Sequence, residues 1–339
     1  MSFKVQILPS GHEFTVEESE TILDGAMRAG HVLPYSCRNG VCGTCKGRVV
    51  SGSVDFGDAD PATLTEADKA QGFALFCQAT AREDLVIEAQ VIDAVHDIPV
   101  RILPCRVAKM TRLAHDVMGL SLTLAQNQRL QYLAGQYIDI LLKDGRRRSF
   151  SLANAPHNDE TLELQIRHVP DGFFTTHVFE KMKERDLLRF RGPLGTFFLR
   201  EESTRSIIMV AGGTGLAPIE AMLEHMFHNN IDRPVHLFWG VRAKEDLYRE
   251  QRLSGWASEH DNFTYTPVLS EPRDEYHWTG KTGWVHEAVL EQYPDLGDYE
   301  VYASGPPVMI DAVKKAFFER GLKQEYLYYD SFEYMNDGN

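Results

Sequence analysis

Four of the five cysteines fall at a spacing that dictates what their neighbourhood must enclose: Cys37, Cys42 and Cys45 follow a C-x4-C-x2-C pattern, and Cys77 stands 32 positions further on. This is the spacing of a 2Fe-2S cluster loop, where each ferric iron needs soft, anionic sulfur to complete a tetrahedron. Cys37, Cys42, Cys45 and Cys77 are therefore the candidate metal ligands. The intervening Arg38, Asn39, Gly40, Val41, Gly43 and Thr44 form a short loop whose glycines admit positive φ, letting backbone N–H groups turn toward inorganic sulfides. Four thiolates also suit zinc. A zinc ribbon, however, usually presents two C-x2-C knuckles, and only one occurs here. Cys105, between Pro104 and Arg106 at the start of a strand-like segment, lies outside the pattern and reads as a small buried hydrophobe.

The charge balance argues against a nucleic-acid partner. The 339 residues carry 49 acidic and 35 basic side chains, a formal charge of −14. Phosphate neutralisation needs clustered Lys and Arg, and the densest basic run is Arg146-Arg147-Arg148, with Asp144 just before it. With 43% hydrophobic and 25% charged residues, the chain fits the globular class, and its length suits two or three domains. The start has no apolar stretch behind a basic patch, and the notable aliphatic run, Ile207 to Ala211, is strand-sized. No membrane association and a cytoplasmic location are the resulting expectations, with the cysteines reduced or serving as ligands.

Three modules are legible along the chain. In the first, Phe3-Val5-Ile7 and Phe14-Val16 alternate as a hairpin, Thr21 to Ala29 has a helical apolar face, and Val49 to Val54 and Leu85 to Ala89 read as strands. With its cysteine loop, this segment, residues 1–92, resembles a plant-type ferredoxin with the β-grasp fold. A connector of little periodicity, 93–101, leads to residues 102–203. There, strand-like segments at Pro104–Lys109, Val117–Leu124 and Gln136–Leu142 predict an antiparallel β-barrel. Within it, Arg148-Ser149-Phe150-Ser151 resembles the R-x-[YF]-[ST] flavin-binding signature of ferredoxin-NADP reductase-like proteins. The resemblance implies FAD, with Arg148 on phosphate, Ser149 inside the same binding strand, Phe150 along the ring and Ser151 at its polar edge. A second flavin segment is expected at Asp171 to Thr176, resembling the family's G-G-x-x-[ST] helix start with Asp171 in place of the first glycine. It assigns Gly172 and Thr175 to the pyrophosphate. His168 and His177 nearby read as packing or surface residues.

The third module, 204–339, begins with a strand at Ile207–Val210, a glycine turn and a helix from Ile219 to His228, the general layout of a dinucleotide phosphate site. The turn resembles the reductase family's G-G-T-G-x-x-P motif, which implies nicotinamide-cofactor contacts at Gly212, Gly213, Thr214, Gly215 and Pro218. Further strands at Val235–Trp239, Phe263–Leu269 and Glu300–Ser304 alternate with helices, as in a parallel α/β domain. The last runs into Gly305-Pro306-Pro307-Val308-Met309, which resembles the family's C-G-P-P-x-M segment with Ser304 replacing cysteine. Gly305 and Pro306 are thereby cofactor contacts, and Ser304 stands with Ser151 among the catalytic residues. Phe332, near the C-terminus, matches an aromatic that shields the flavin in many relatives. Arg242 or Lys244 can meet a 2′-phosphate and Glu245 or Asp246 a free 2′-hydroxyl. The ferredoxin-fused branch commonly uses NADH, so NADH is expected and NADPH remains open.

Taken together, the order of modules resembles ferredoxin-type NADH oxidoreductases: the 2Fe-2S/FAD reductase components of bacterial oxygenases and the CDP-6-deoxy-glucoseen reductases of dideoxysugar synthesis. The resemblance implies an electron relay from NADH through FAD to the cluster and on to a separate acceptor protein. An oxygenase component is the leading acceptor, a deoxysugar dehydratase the alternative, and free flavin reduction a weaker third. Residues 1–92 hold 13 acids against 7 bases, so a basic face on the acceptor should dock at the cluster domain.

Overall fold

The alternation of buried Val5 and Ile7 with exposed neighbours makes β1 (Ser2–Leu8) a half-buried strand, paired antiparallel with β2 (Glu13–Glu17) in a computed structural model that describes residues 1–332. Thr21 caps α1 (Ile22–Arg28), its side chain accepting the Asp24 N–H, and Ile22, Leu23 and Ala26 are buried in the domain's core. After the cysteine loop come β3 (Lys46–Ser51), β4 (Val54–Asp55), α2 (Glu66–Ala70), β5 (Phe73–Leu75), β6 (Thr80–Ala81) and β7 (Leu85–Glu88). The main sheet runs β2-β1-β7-β3-β5, with β1 and β7 parallel. The strand expected over 49–54 breaks after Ser51. Gly52 takes φ +92°, where an added Cβ would overlap the Asp84 carbonyl, so the chain turns there.

Residues 1–99 with 195–197 form one compact unit, and 100–194 with 198 onward form another. The second unit holds two of the three predicted modules. Its antiparallel sheet is built from β8 (Arg101–Ala114), β9 (Val117–Thr123), β10 (Tyr137–Leu141), β11 (Arg147–Ser151), β12 (Leu162–Arg167) and β13 (Leu187–Leu194), with α3 (Phe173–Glu180) between the last two. Strand order is β11-β10-β13-β8-β9-β12, and an antiparallel bridge from Leu152 to Leu164 joins the two edges, closing a barrel. Cys105 sits in that barrel's apolar core, and burial pushes its thiol up to about 12. That leaves it inert.

The remaining elements are β14 (Ser206–Gly212), α4 (Leu216–His228), β15 (Val235–Val241), α5 (Glu250–Glu259), β16 (Phe263–Leu269), β17 (Lys281–Thr282), α6 (Val285–Gln292), β18 (Tyr299–Gly305), α7 (Pro307–Phe318) and β19 (Leu327–Ser331). All pairs in the sheet β17-β16-β15-β14-β18-β19 are parallel. The central strand β14 is buried through five successive residues, the continuous apolar run that a sheet covered on both faces requires. Among the described residues, no helix is long and apolar enough to cross a membrane.

Candidate redox and nucleotide sites

The cysteine loop gathers its four thiols in two pairs. Cys37 hydrogen-bonds Cys42, and Cys45 hydrogen-bonds Cys77, with weaker charge coupling between the pairs. Two thiolates per metal suit a dinuclear cluster, where bridging sulfides complete each tetrahedron, better than a single ion equidistant from four sulfurs. Gly40 and Gly43 take φ +81° and +78°, and the backbone amides of Asn39, Val41 and Cys42 bond the Cys37 sulfur. With the Cys42 bond first among the causes, they pull Cys37 down to about 5, so this thiol is readily a thiolate. Its partner Cys42 is pushed up, since one proton is shared by the pair. Gln78 Nε2 donates to Cys77 at 3.7 Å and to the Arg38 carbonyl at 3.2 Å, and Arg38 itself is ion-paired with Asp24. The loop thus supplies donors aimed at sulfur, which favour the anionic state a cluster needs.

In the second unit, strand alternation sorts the flavin-signature residues by face. Arg148 and Phe150 share one side of β11, and Phe150 packs at 5.5 Å from the Phe174 ring of α3. Ser149 points the other way, donating to buried Asp139 at 2.6 Å across the β10 pairing. Burial lowers the Arg148 guanidinium below its ordinary value, a cost that an anion beside it would offset. Ser151 is buried, and its hydroxyl donates to Asp330 of β19 at 3.2 Å, 179 positions away in the chain.

At α3, Gly172 is the N-cap residue. The Thr175 hydroxyl closes the preceding loop, accepting the Val169 N–H and donating to the Val169 carbonyl, both at 3.1 Å. Asp171 has φ +61°, a left-handed conformation that aspartate tolerates and that explains why a glycine would also fit there.

The nicotinamide motif occupies the carboxyl ends of β14 and β18. Gly213, Thr214 and Gly215 form a single 3₁₀ turn that runs into α4, which starts at Leu216 and so includes Pro218 in its first turn. A Cβ on Gly215 would overlap the Ser304 carbonyl oxygen, whereas one on Gly212 would lie 3.0 Å from Pro306 and one on Gly305 3.1 Å from Gly212. Trp239 Nε1 anchors the turn by donating to the Gly213 carbonyl at 2.9 Å. Ser304 is fully buried, pairs in register with Asp330, and its Oγ has no hydrogen-bond partner. A buried hydroxyl left unpaired is costly, and a polar ring edge beside it would satisfy it. Phe332 follows, its N–H donating to the Gly305 carbonyl at 2.9 Å, so it runs beside the Gly305–Pro306 loop.

Three residues absent from the sequence expectations complete the surroundings. Asp330 is the acceptor for Ser151. Arg167, at the end of β12, places its guanidinium about where a side chain on Gly213 would extend, 3.1 Å from that Cβ position. Glu220 of α4 is wholly buried, taking Arg249 at 3.2 Å and Arg252 at 3.0 Å and the Gln165 amide of β12 at 2.5 Å. Desolvation raises its carboxyl while the two arginines oppose that shift. The only sequence signal for these was a polar residue inside an apolar helical or strand pattern.

Comparison with known proteins matches this layout piece by piece. Residues 5–82 match the 2Fe-2S iron-sulfur cluster binding domain, 104–199 the oxidoreductase FAD-binding domain and 209–315 the oxidoreductase NAD-binding domain. A CDP-6-deoxy-L-threo-D-glycero-4-hexulose-3-dehydrase reductase of Yersinia pestis is 40% identical over 98% of this chain and 99% of its own. The reductase component of a Pseudomonas phenol 2-monooxygenase is 35% identical over 100% of this chain and 96% of its own. Among solved structures, an Amycolatopsis cytochrome P450 reductase superposes with a TM-score of 0.79 at 34% identity, covering 97% of this chain and 98% of its own.

Proposed function

We propose, for a chain that belongs to the ferredoxin-type flavoprotein reductases with 2Fe-2S, FAD-binding and NAD-binding domains, that its residues serve a one-way relay from NADH to a docked acceptor protein. When bound, FAD supplies the exchange between a two-electron nicotinamide donor and a one-electron cluster. Cys37, Cys42, Cys45 and Cys77 hold the cluster. Arg148, Ser149, Phe150, Ser151, Gly172 and Thr175 form the flavin cradle, with Thr175 shaping the loop from which Gly172 presents its backbone. Gly212, Gly213, Thr214, Gly215, Pro218, Gly305 and Pro306 bring two backbone turns close enough to admit the nicotinamide half, and Arg167 meets its pyrophosphate. Ser151 orients the flavin edge through Asp330, Ser304 offers its unpaired hydroxyl to the same edge, and Phe332 covers the ring.

The observation that carries the relay reading is the paired-thiol loop. A reductase that released free reduced flavin would have no use for it. Cys45→Ser should keep NADH-driven ferricyanide reduction through the flavin and lose cytochrome c reduction; equal retention of both activities would sink the relay.

NADH is the proposed donor. A pocket of about 140 Å³ at the ends of β15 and β16 is lined by Glu245, Asp246 and Glu271 as well as Arg242 and Arg273. Arg273 is ion-paired to Glu245 at 2.8 Å and Arg242 to Asp116 at 3.4 Å. Cations already neutralised by carboxylates favour a ribose hydroxyl over a 2′-phosphate.

The proposed acceptor is an oxygenase component that docks a basic face on the acidic cluster domain in the cytoplasm, so that encounter slows as salt rises. The 40% identity to a dehydrase reductase favours a second reading, delivery to a deoxysugar dehydratase. Reconstitution with captured partner separates them: oxygen-dependent NADH consumption supports the oxygenase, and anaerobic turnover the dehydratase.

A further inference from the structure

A second cluster of ligand-type side chains lies outside the redox groups. The turn joining β8 to β9 carries His115 and Asp116, and the 3₁₀ turn Lys244–Asp246 after β15 carries Asp246. One ligand atom from each of the three falls within 4.8 Å of the others. His115 Nδ1 is 3.6 Å from Asp246 Oδ1 and 4.0 Å from Asp116 Oδ1.

The two carboxylates are each engaged on one side alone. Asp116 Oδ2 faces Arg242 Nη2 at 3.4 Å and Arg167 Nε at 3.6 Å, while Asp246 Oδ2 accepts the Ala243 N–H at 3.1 Å. Asp116 Oδ1 and Asp246 Oδ1 are buried with no hydrogen-bond partner, and the Asp246 side chain is only 4% exposed. Leaving such an oxygen unmet is expensive. Both lie near His115 Nδ1, and a neutral imidazole can ligate a metal through that nitrogen.

We propose that His115, Asp116 and Asp246 form a binding site for a divalent cation of the zinc class, held by one imidazole and two carboxylate oxygens. Bonds of about 2.1 Å to each donor place tetrahedral neighbours roughly 3.4 Å apart. The two spacings to His115, 3.6 and 4.0 Å, lie close to that value, and the two carboxylate oxygens, within 4.8 Å of one another, draw together when the ion enters. The two arginines neutralise the outer oxygens without occupying the inner ones. The remaining coordination position opens on the pocket lined by Glu245 and Glu271. A cation there ties the barrel's first hairpin to the nicotinamide sheet. The site is independent of the identity of the acceptor protein, and it shares Asp246 and its pocket with the proposed ribose contacts.

The test uses chelator-dialysed protein carrying its flavin and cluster, titrated with zinc chloride by calorimetry while cluster absorbance is followed. One zinc should bind per chain with the cluster spectrum unchanged. His115→Gln, at an exposed turn, and the isosteric Asp246→Asn should each weaken binding by at least about tenfold. Zinc should raise the thermal midpoint of the parent protein and not that of His115→Gln, which keeps the test decisive if Asp246→Asn fails to fold. Absence of saturable binding, equal affinity in His115→Gln, or uptake that bleaches the cluster would each overturn the site.

Discussion

In the first unit, the four thiols that meet come from a stretch spanning 40 positions, and the atoms that tune them are backbone amides of the same loop. In the second, Ser151 and Asp330 meet across 179 positions, and Ser304 lies in register with Asp330 on the neighbouring strand. The first arrangement depends on which residue types occur at which spacing. The second depends on strand order, so its precision comes from packing and close backbone approach. The two regions should accordingly fail in different ways: the loop by losing a ligand, the nucleotide site by losing a fraction of an ångström.

The largest expected effect tests that distinction. Gly215→Ala should abolish NADH-driven flavin reduction, measured by stopped-flow bleaching of flavin absorbance, while flavin and cluster stay bound. Its methyl group has nowhere to go but into the Ser304 carbonyl. Reduction at the parent rate would show that the two turns yield easily, and the contrast between regions would collapse.

Next, Glu220→Ala should destabilise the second unit by about 3–5 kcal/mol, because it strands Arg249 and Arg252 beside a buried gap. Thermal unfolding followed by flavin release should shift down. The visible circular dichroism of the cluster should hold to the parent temperature if the two units are independent in stability.

A smaller loss is expected at the Ser151–Asp330 pair. Either single alanine substitution should slow flavin reduction by roughly tenfold, the worth of one hydrogen bond to a charged group. The double variant should lose little more, since both remove the same contact. Additive losses would mean that the two side chains act separately.

The smallest effect lies in the first unit. Lys46, with Thr65, holds the Asp68 carboxyl down to about 2 from an ordinary 3.8. The stabilisation is complete above the ordinary value and fades as pH falls from about 4 toward 2, and for a partly exposed pair it is below about 1 kcal/mol. Lys46→Met should flatten that stretch of the acid unfolding curve. An unchanged curve would mean that the pair contributes nothing.

Much of the architecture was legible because its signals are local. Alternating Val5 and Ile7, the apolar face between Thr21 and Ala29 and the apolar run at Ile207 each specify an element without reference to the rest of the chain. The errors were also local: Gly52 ended a strand read through to Val54, and α4 began three residues before Ile219 because proline is tolerated in a first turn. The three cofactor domains were readable from short motifs. What no motif conveyed was cross-chain pairing. Asp330 is an ordinary acid in a tyrosine-rich tail until β19 is laid beside β18. Arg167 is one more strand-end cation until the barrel brings it to Gly213. Likewise, Thr175 was assigned by pattern, and its hydroxyl turned out to close the Val169 loop.

The membership of the first unit carries a consequence for recombination. Residues 195–197 belong with it although they follow β13, and Thr196 Oγ1 both accepts the Tyr35 N–H at 3.0 Å and donates to the Tyr35 carbonyl at 3.1 Å. A chimaera cut once, at 99/100, would give the incoming ferredoxin domain a foreign clasp two residues from Cys37, the first of the proposed cluster ligands. Grafts that exchange 195–197 along with 1–99 keep that clasp matched. A linear map of the modules would assign these three residues to the wrong donor.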